Sequence, residues 1–220
     1  SKDVYSQMYT NAGFFGDENE LKEWRNKYLK ALTNASLNLK VVSCDSFLVC
    51  DLLLNSLNLY IPTLPYIEDL EFWIKLINSV NTENIGIVSY FKKDIQKQIK
   101  KIDKVYPALK DKVHWKKDLG KFKLIYSPNT VKGNEPDDKR WSDVFEELLS
   151  DCLKEDCELY LLSCGCYGLP LCEALRANGK KSVYVGGILQ ILFGLKGKRW
   201  DNRKQINKYY NEHWTYPKTK

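Results

Sequence analysis

The stretch Ser163–Trp200, SCGCYGLPLCEALRANGKKSVYVGGILQILFGLKGKRW, collects residue types suited to holding an anion. Gly165 and Gly168 follow an apolar run and precede a helical one, so they form a strand-to-helix turn. Such a turn leaves backbone N–H groups free to face a phosphate. Gly186 and Gly187 repeat the pattern one strand later and let a group approach the backbone closely. Tyr167 belongs to the same candidate binding surface. Gln190 both donates and accepts, so it can read a sugar or a base edge. Arg199, between Lys198 and Trp200 and close to Lys196, offers a planar fork for a diphosphate. The plainer alternative is two tight βα turns, a satisfied amide at a helix start and a solvated basic face.

Other candidates stand at other strand ends. Ser89 and Tyr90 end the run ENIGIVSY before a lysine-rich helix. Asp45, in SCD, is the best-placed carboxylate, with helix capping as its alternative role. Near the carboxyl terminus NEHW holds Glu212 and His213, either of which could act as a general base. No DxD motif occurs at a strand end. Asp69-Leu70-Glu71 reads as capping, and Glu135–Asp138 (EPDD) leaves weak divalent-metal binding open.

The elements that must position these residues follow from periodicity. Helices are expected at Asp17–Ala35, with Asp17 as N-cap, and at Phe47–Leu57, Asp69–Val80, Lys92–Lys104, Trp141–Lys154 and Leu169–Asn178. Gly179 is placed to end the last of these. Strands are expected at Leu37–Ser43, Glu83–Tyr90, Lys121–Pro128, Cys157–Cys164 and Lys181–Gly186, with a loop at Lys132–Arg140. Strands alternating with helices predict an α/β, Rossmann-like domain. Its mostly parallel sheet would have about five to six strands, with helices on both faces. Ligands of such sheets bind beyond the carboxyl ends of the strands, where every candidate from the central and carboxyl-terminal strands falls.

Composition bounds the partners. The chain has 220 residues, 44% hydrophobic and 28% charged, which predicts one soluble globular domain over residues 1–220. Its formal charge of +6 suits a phosphorylated metabolite before a nucleic acid. Seven cysteines without a CxxC pair argue against a disulfide framework or a zinc site and for a reducing, cytoplasmic compartment. The longest apolar runs, such as Ile188–Phe193, are far below the ~18 residues of a membrane span. The start SKDVY, without Met, reads as a domain cut from a longer polypeptide whose neighbouring domains would be partners.

Five segments in order carry a resemblance: NAGFF (Asn11–Phe15), IVSYF…QKQ (Ile87–Gln98), GCYGLPL (Gly165–Leu171), GGILQILFGLKGKRW (Gly186–Trp200) and YNEHW (Tyr210–Trp214). The pattern resembles GT-D-like glycosyltransferases of glycan and capsule gene clusters. It is also similar to middle domains of multidomain glycan-building proteins of large algal DNA viruses of chlorovirus type, which would place the chain in host cytoplasm. The resemblance spans roughly Asn11 to Trp214. It implies a nucleotide-diphosphate-sugar donor, rhamnose being one candidate sugar, and a glycan acceptor. The donor would lie on Ser89, Tyr90, Gly165, Tyr167, Gly168, Gly186, Gly187, Gln190 and Arg199. Asp45, Glu212 or His213 would serve as base, and no metal ligand is assigned. Such proteins usually carry an acidic motif upstream of the NAGFF segment, and this chain starts after that point; metal dependence is therefore left open. The rival class is a non-catalytic nucleotide- or glycan-binding module. A methyltransferase or oxidoreductase is disfavoured, because a third glycine and a ribose-binding acid are both missing. Nucleic-acid binding through Lys92–Lys104 ranks lower still.

Overall fold

A computed structural model describes residues 2–35, 40–41, 63–64, 70–79, 84–107 and 122–218. The expected helix Phe47–Leu57, and Asp45 with it, lie outside the described residues.

The chain opens with α1 (Lys2–Gln7), which widens into a π turn at Met8–Ala12. α2 (Glu18–Asn34) starts where the sequence places it. Asp17 is extended, and its Oδ1 accepts the N–H groups of Asn19 and Glu20 at 2.8 and 3.0 Å. Those two bonds, Glu20's first, hold the Asp17 carboxyl below its usual range. β1 (Lys40–Val41) and β2 (Thr63–Leu64) form a short parallel pair, so only two residues of the expected strand Leu37–Ser43 are described. α3 (Leu70–Ser79) follows, then β3 (Ile85–Ser89), α4 (Lys92–Gln98), a 3₁₀ turn (Ile99–Lys101) and α5 (Ile102–Val105). The expected helix Lys92–Lys104 is therefore one rod broken by a tighter turn. β4 (Phe122–Tyr126), α6 (Trp141–Glu155), β5 (Leu159–Ser163), α7 (Gly168–Ala177) and β6 (Lys181–Tyr184) complete the alternation. α8 (Ile188–Leu192) and α9 (Lys204–Asn207) are short.

The main sheet is all parallel with strand order β4-β3-β5-β6. Among the described residues it has four strands, fewer than the expected five to six, because β1 and β2 pair with each other and not with it. The difference has a sequence cause. A strand signal reports a pleated apolar run, and it carries no information about which sheet the run joins.

Every residue of β3 is buried, whereas the outer strand β4 mixes buried and exposed positions and β6 is exposed at both ends and half-buried between. Ile85, Ile87, Leu159 and Leu161 join α3, α4 and α8 in one core; Val88, Tyr160 and Leu162 join α6 and α7 in the other. The β3-to-β4 crossover runs one way along the sheet, and its helix covers one face. The other two crossovers run the opposite way, and their helices cover the other face. A single crossover hand demands this arrangement. Strand succession therefore reverses between β3 and β5, where Ser89 pairs in register with Ser163. That reversal opens the crevice in which ligands of such sheets bind.

Candidate functional site

After β6 the chain turns at Gly186-Gly187, and α8 returns across the sheet to pack on β5 within the α3/α4 core. This return brings Gln190 and Arg199 beside Phe91, the residue that leads from β3 into α4. Together with Lys196, Gly197 and Lys198 they line an open crevice of about 560 Å³. Tyr216 and Pro217, from the carboxyl-terminal tail, close its other side. Among the described residues, three cationic ones line it and no acidic one does.

Gln190 is 7% exposed. Its Nε2 donates to the carbonyls of Leu195 and Lys196 at 3.3 and 3.2 Å, which secures the turn carrying the lysines. The donor half of the amide is thus committed to the fold. Its Oε1 accepts from no described residue and remains for the crevice that Gln190 lines.

Arg199 is exposed as a residue, but protein crowds its guanidinium. Cζ lies 4.6 Å from the Trp200 ring centroid, and a Cβ on Gly187 would be 2.5 Å from that carbon. Gly187 therefore does admit a close approach, and the approaching group is Arg199. Burial lowers the guanidinium's pKa, with Tyr184 opposing that shift. Arg199 makes no ion pair or hydrogen bond with a described residue, and Lys196 and Lys198 make no ion pair with one. A desolvated, unpaired cation favours an anion brought to it. Gly186 has φ +66° and open space around it, so it serves the turn itself.

The first glycine turn has a different occupant. Gly165 has φ +55°, and the carbonyl of Ala12 lies where its side chain would be. Gly168 is covered by the Tyr184 ring, whose hydroxyl donates to the Gly165 carbonyl at 3.4 Å. Tyr167 is 1% exposed, stacks on Trp141 at 5.6 Å and shares a 3.1 Å hydrogen bond with Thr130 Oγ1. The chain's own NAGFF segment, with Phe14 buried between Trp24 and Trp141, thus seals this turn. Gly165, Tyr167 and Gly168 do not line the crevice.

Ser89 is buried, and its Oγ accepts the Phe91 N–H at 3.2 Å, shaping the turn that presents Phe91. Tyr90 packs between Phe91 and Tyr126, with centroids 5.4 and 6.1 Å away. Glu212 and His213 pair with each other at 3.4 Å. They belong to a tail that runs antiparallel to α4. Asn211 donates to the carbonyls of Lys104 and Val105 at the far end of the helical rod, and Lys218 N–H reaches Asp94 in its first turn. Tyr216 and Pro217 thereby arrive at the crevice, and Glu212 and His213 stay below it, outside its lining. Sequence reasoning missed Phe91, Tyr216 and Pro217. The tail is placed by the Leu195–Thr215 bridge, for which no local signal exists.

No group of three or more His, Cys, Asp or Glu side chains suited to a metal ion occurs among the described residues, and no helix among them is long and apolar enough to cross a membrane. The fold and the crevice define an α/β protein with a parallel sheet and a cationic crevice beyond its strand ends. Comparisons with protein-family models, curated proteins and solved structures each returned no match.

Proposed function

We propose that this chain binds a nucleotide-diphosphate sugar in the crevice and transfers the sugar, rhamnose being a candidate, to the hydroxyl of a glycan acceptor. The observation that carries the proposal is the meeting of Lys196, Lys198 and Arg199, without a carboxylate, beside Gln190 at the carboxyl end of a parallel sheet. The resemblance of the same segments to GT-D-like glycosyltransferases supports it.

In glycosyl transfer the bond from the anomeric carbon to the diphosphate oxygen breaks and negative charge collects on the leaving diphosphate. Fixed cations in a partly desolvated site stabilise that charge. Arg199 and the two lysines take this role, and Gln190 Oε1 accepts a hydroxyl or N–H of the donor. The attacking acceptor hydroxyl gives its proton to a base, worth about 10²–10⁴-fold in rate. Asp45 holds that role in this proposal, since Glu212 and His213 do not line the crevice.

The second reading, a non-catalytic nucleotide- or glycan-binding module, draws support from the absence of a carboxylate among the described lining residues. Calorimetric titration with UDP, GDP and dTDP, with and without Mn²⁺, tests the donor-site claim; no binding of any would sink the enzyme reading and the nucleotide-binding form of the module. Release of nucleoside diphosphate from a panel of nucleotide sugars in the presence of acceptor glycans separates them. Turnover abolished by Asp45→Asn favours the enzyme, whereas binding without turnover favours the module.

A further inference from the structure

The crevice holds two aromatic side chains, Phe91 and Tyr216, and the second is unusual. Tyr216 is 49% exposed, so its ring is not there to fill a core. Yet it is held at every point. On the amino-terminal side, Thr215 N–H donates to Gly194 O at 3.2 Å and Lys196 N–H to Thr215 O at 2.8 Å. On the carboxyl-terminal side, Lys218 N–H donates to Asp94 Oδ1 at 3.3 Å. At the ring's far end the hydroxyl donates to Asp201 Oδ2 at 2.8 Å.

Asp201 closes the 3₁₀ turn Lys198–Trp200, which carries Lys198 and Arg199. Lys196 Nζ lies 5.8 Å from the Tyr216 ring centroid. The exposed ring is therefore tied to the turn that carries Lys198 and Arg199, with Lys196 beside it. An exposed aromatic immobilised before any ligand arrives has already lost the freedom that stacking would otherwise cost.

Resting on the proposed reading of the crevice as a diphosphate site, we propose that Tyr216 is the stacking platform for the heterocyclic base of a nucleoside diphosphate. A bare polyphosphate would use the cations and leave the ring idle. A neutral sugar would use the ring and leave three unpaired cations idle. A nucleoside diphosphate uses both, and a 560 Å³ crevice falls within the ~300–1,000 Å³ range of small-molecule sites. Because every base has a π-face, stacking alone tolerates uracil and guanine alike; selection among bases would fall to neighbouring polar atoms such as Gln190 Oε1.

The test compares inorganic pyrophosphate with UDP and GDP by calorimetry on the wild-type chain, Tyr216→Ala and Tyr216→Phe, with thermal melts as the folding control. The wild type is expected to bind both nucleotides more tightly than pyrophosphate. Tyr216→Ala should weaken UDP and GDP by about 5- to 140-fold, the span of base–aromatic stacking, and leave pyrophosphate within about twofold. Tyr216→Phe, which keeps the ring and loses the tie to Asp201, should retain most of the nucleotide advantage. Equal weakening of pyrophosphate and nucleotides by Tyr216→Ala would reduce Tyr216 to a wall of the crevice and overturn the proposal. So would a wild type that binds pyrophosphate as tightly as UDP, which leaves the diphosphate reading intact. A wild type that binds none of the three defeats the diphosphate reading itself.

Discussion

Gly187→Ala should disarm the crevice without unfolding the protein. Gly187 has φ −66° and ψ −16°, ordinary right-handed values that alanine adopts freely. The nearest atoms the methyl group would meet are those of the Arg199 guanidinium, 2.5 Å from Cζ against the ~3.5–4.0 Å of a carbon–carbon contact. The guanidinium is the tip of a flexible side chain, so it swings away. Two small stability terms then oppose each other. Restricting the unfolded chain contributes about 0.4–1 kcal/mol, and losing the Trp200 contact costs about 0.5–1 kcal/mol. The melting temperature should move by less than about 4 °C, since 1 kcal/mol shifts a domain of this size by about 2–4 °C. Binding should change far more. A hydrogen bond to a charged group is worth about 1.5–3 kcal/mol, which converts to about 10- to 140-fold in Kd. Calorimetry with pyrophosphate and UDP reads the loss. Arg199→Ala should lose the same amount, and the double variant no more, because both changes remove one interaction. Unchanged pyrophosphate affinity in Gly187→Ala, or additive losses in the double variant, would refute the reasoning.

The other glycine positions should respond through stability. Gly186→Ala forces a left-handed alanine into open space and should cost about 1–2 kcal/mol, whereas Gly165→Ala adds a clash with the Ala12 carbonyl and should cost more, both read by urea denaturation. Gln98 is 1% exposed and donates Nε2 to the carbonyls of Gly194 and His213 at 3.0 and 2.9 Å. Gln98→Leu leaves the His213 carbonyl unsatisfied, at about 1–3 kcal/mol, while Gly194 O keeps the Thr215 N–H; it should weaken UDP binding as well, because the tail it anchors carries Tyr216. Burial pushes the Cys152 and Cys166 thiols from the ordinary 9.0 to about 12. The unfolded chain releases these protons near pH 9 and the folded chain does not, so stability should fall as pH rises from about 9 towards 12. Iodoacetamide at pH 8, followed by mass spectrometry, should leave both thiols unlabelled in the native protein.

Much of the alternation is local and was legible in the sequence. Asp17 caps α2 because a carboxylate there meets two free N–H groups. Gly179, at φ +73°, ends α7 because only a left-handed residue lets the last carbonyls be satisfied, and Lys180 and Gly179 N–H groups do return to Leu175 and Arg176. β3 and β5 stand out as continuous apolar runs because both of their faces are covered. Of the expected site, Gln190 and Arg199 line one crevice, while Gly187 holds the arginine in place. The other glycine turn misled for a physical reason. A glycine signals only that something lies close to the backbone. At Gly165 and Gly168 that something is Ala12 and Tyr184, contacts formed across long separations in sequence.

Sequence alone therefore determined the α/β alternation, the main helix boundaries and the cationic character of the last third of the chain. These depend on periodicity, capping and charge, which are properties of neighbours along the chain. Tertiary structure alone decided the strand order that places the switch between β3 and β5, and the NAGFF plug that closes one turn. It also decided the antiparallel tail that brings Tyr216 to the crevice and leaves Glu212 and His213 below it. Each of these is set by which apolar faces and backbone groups find each other across the fold, and no local pattern encodes that choice.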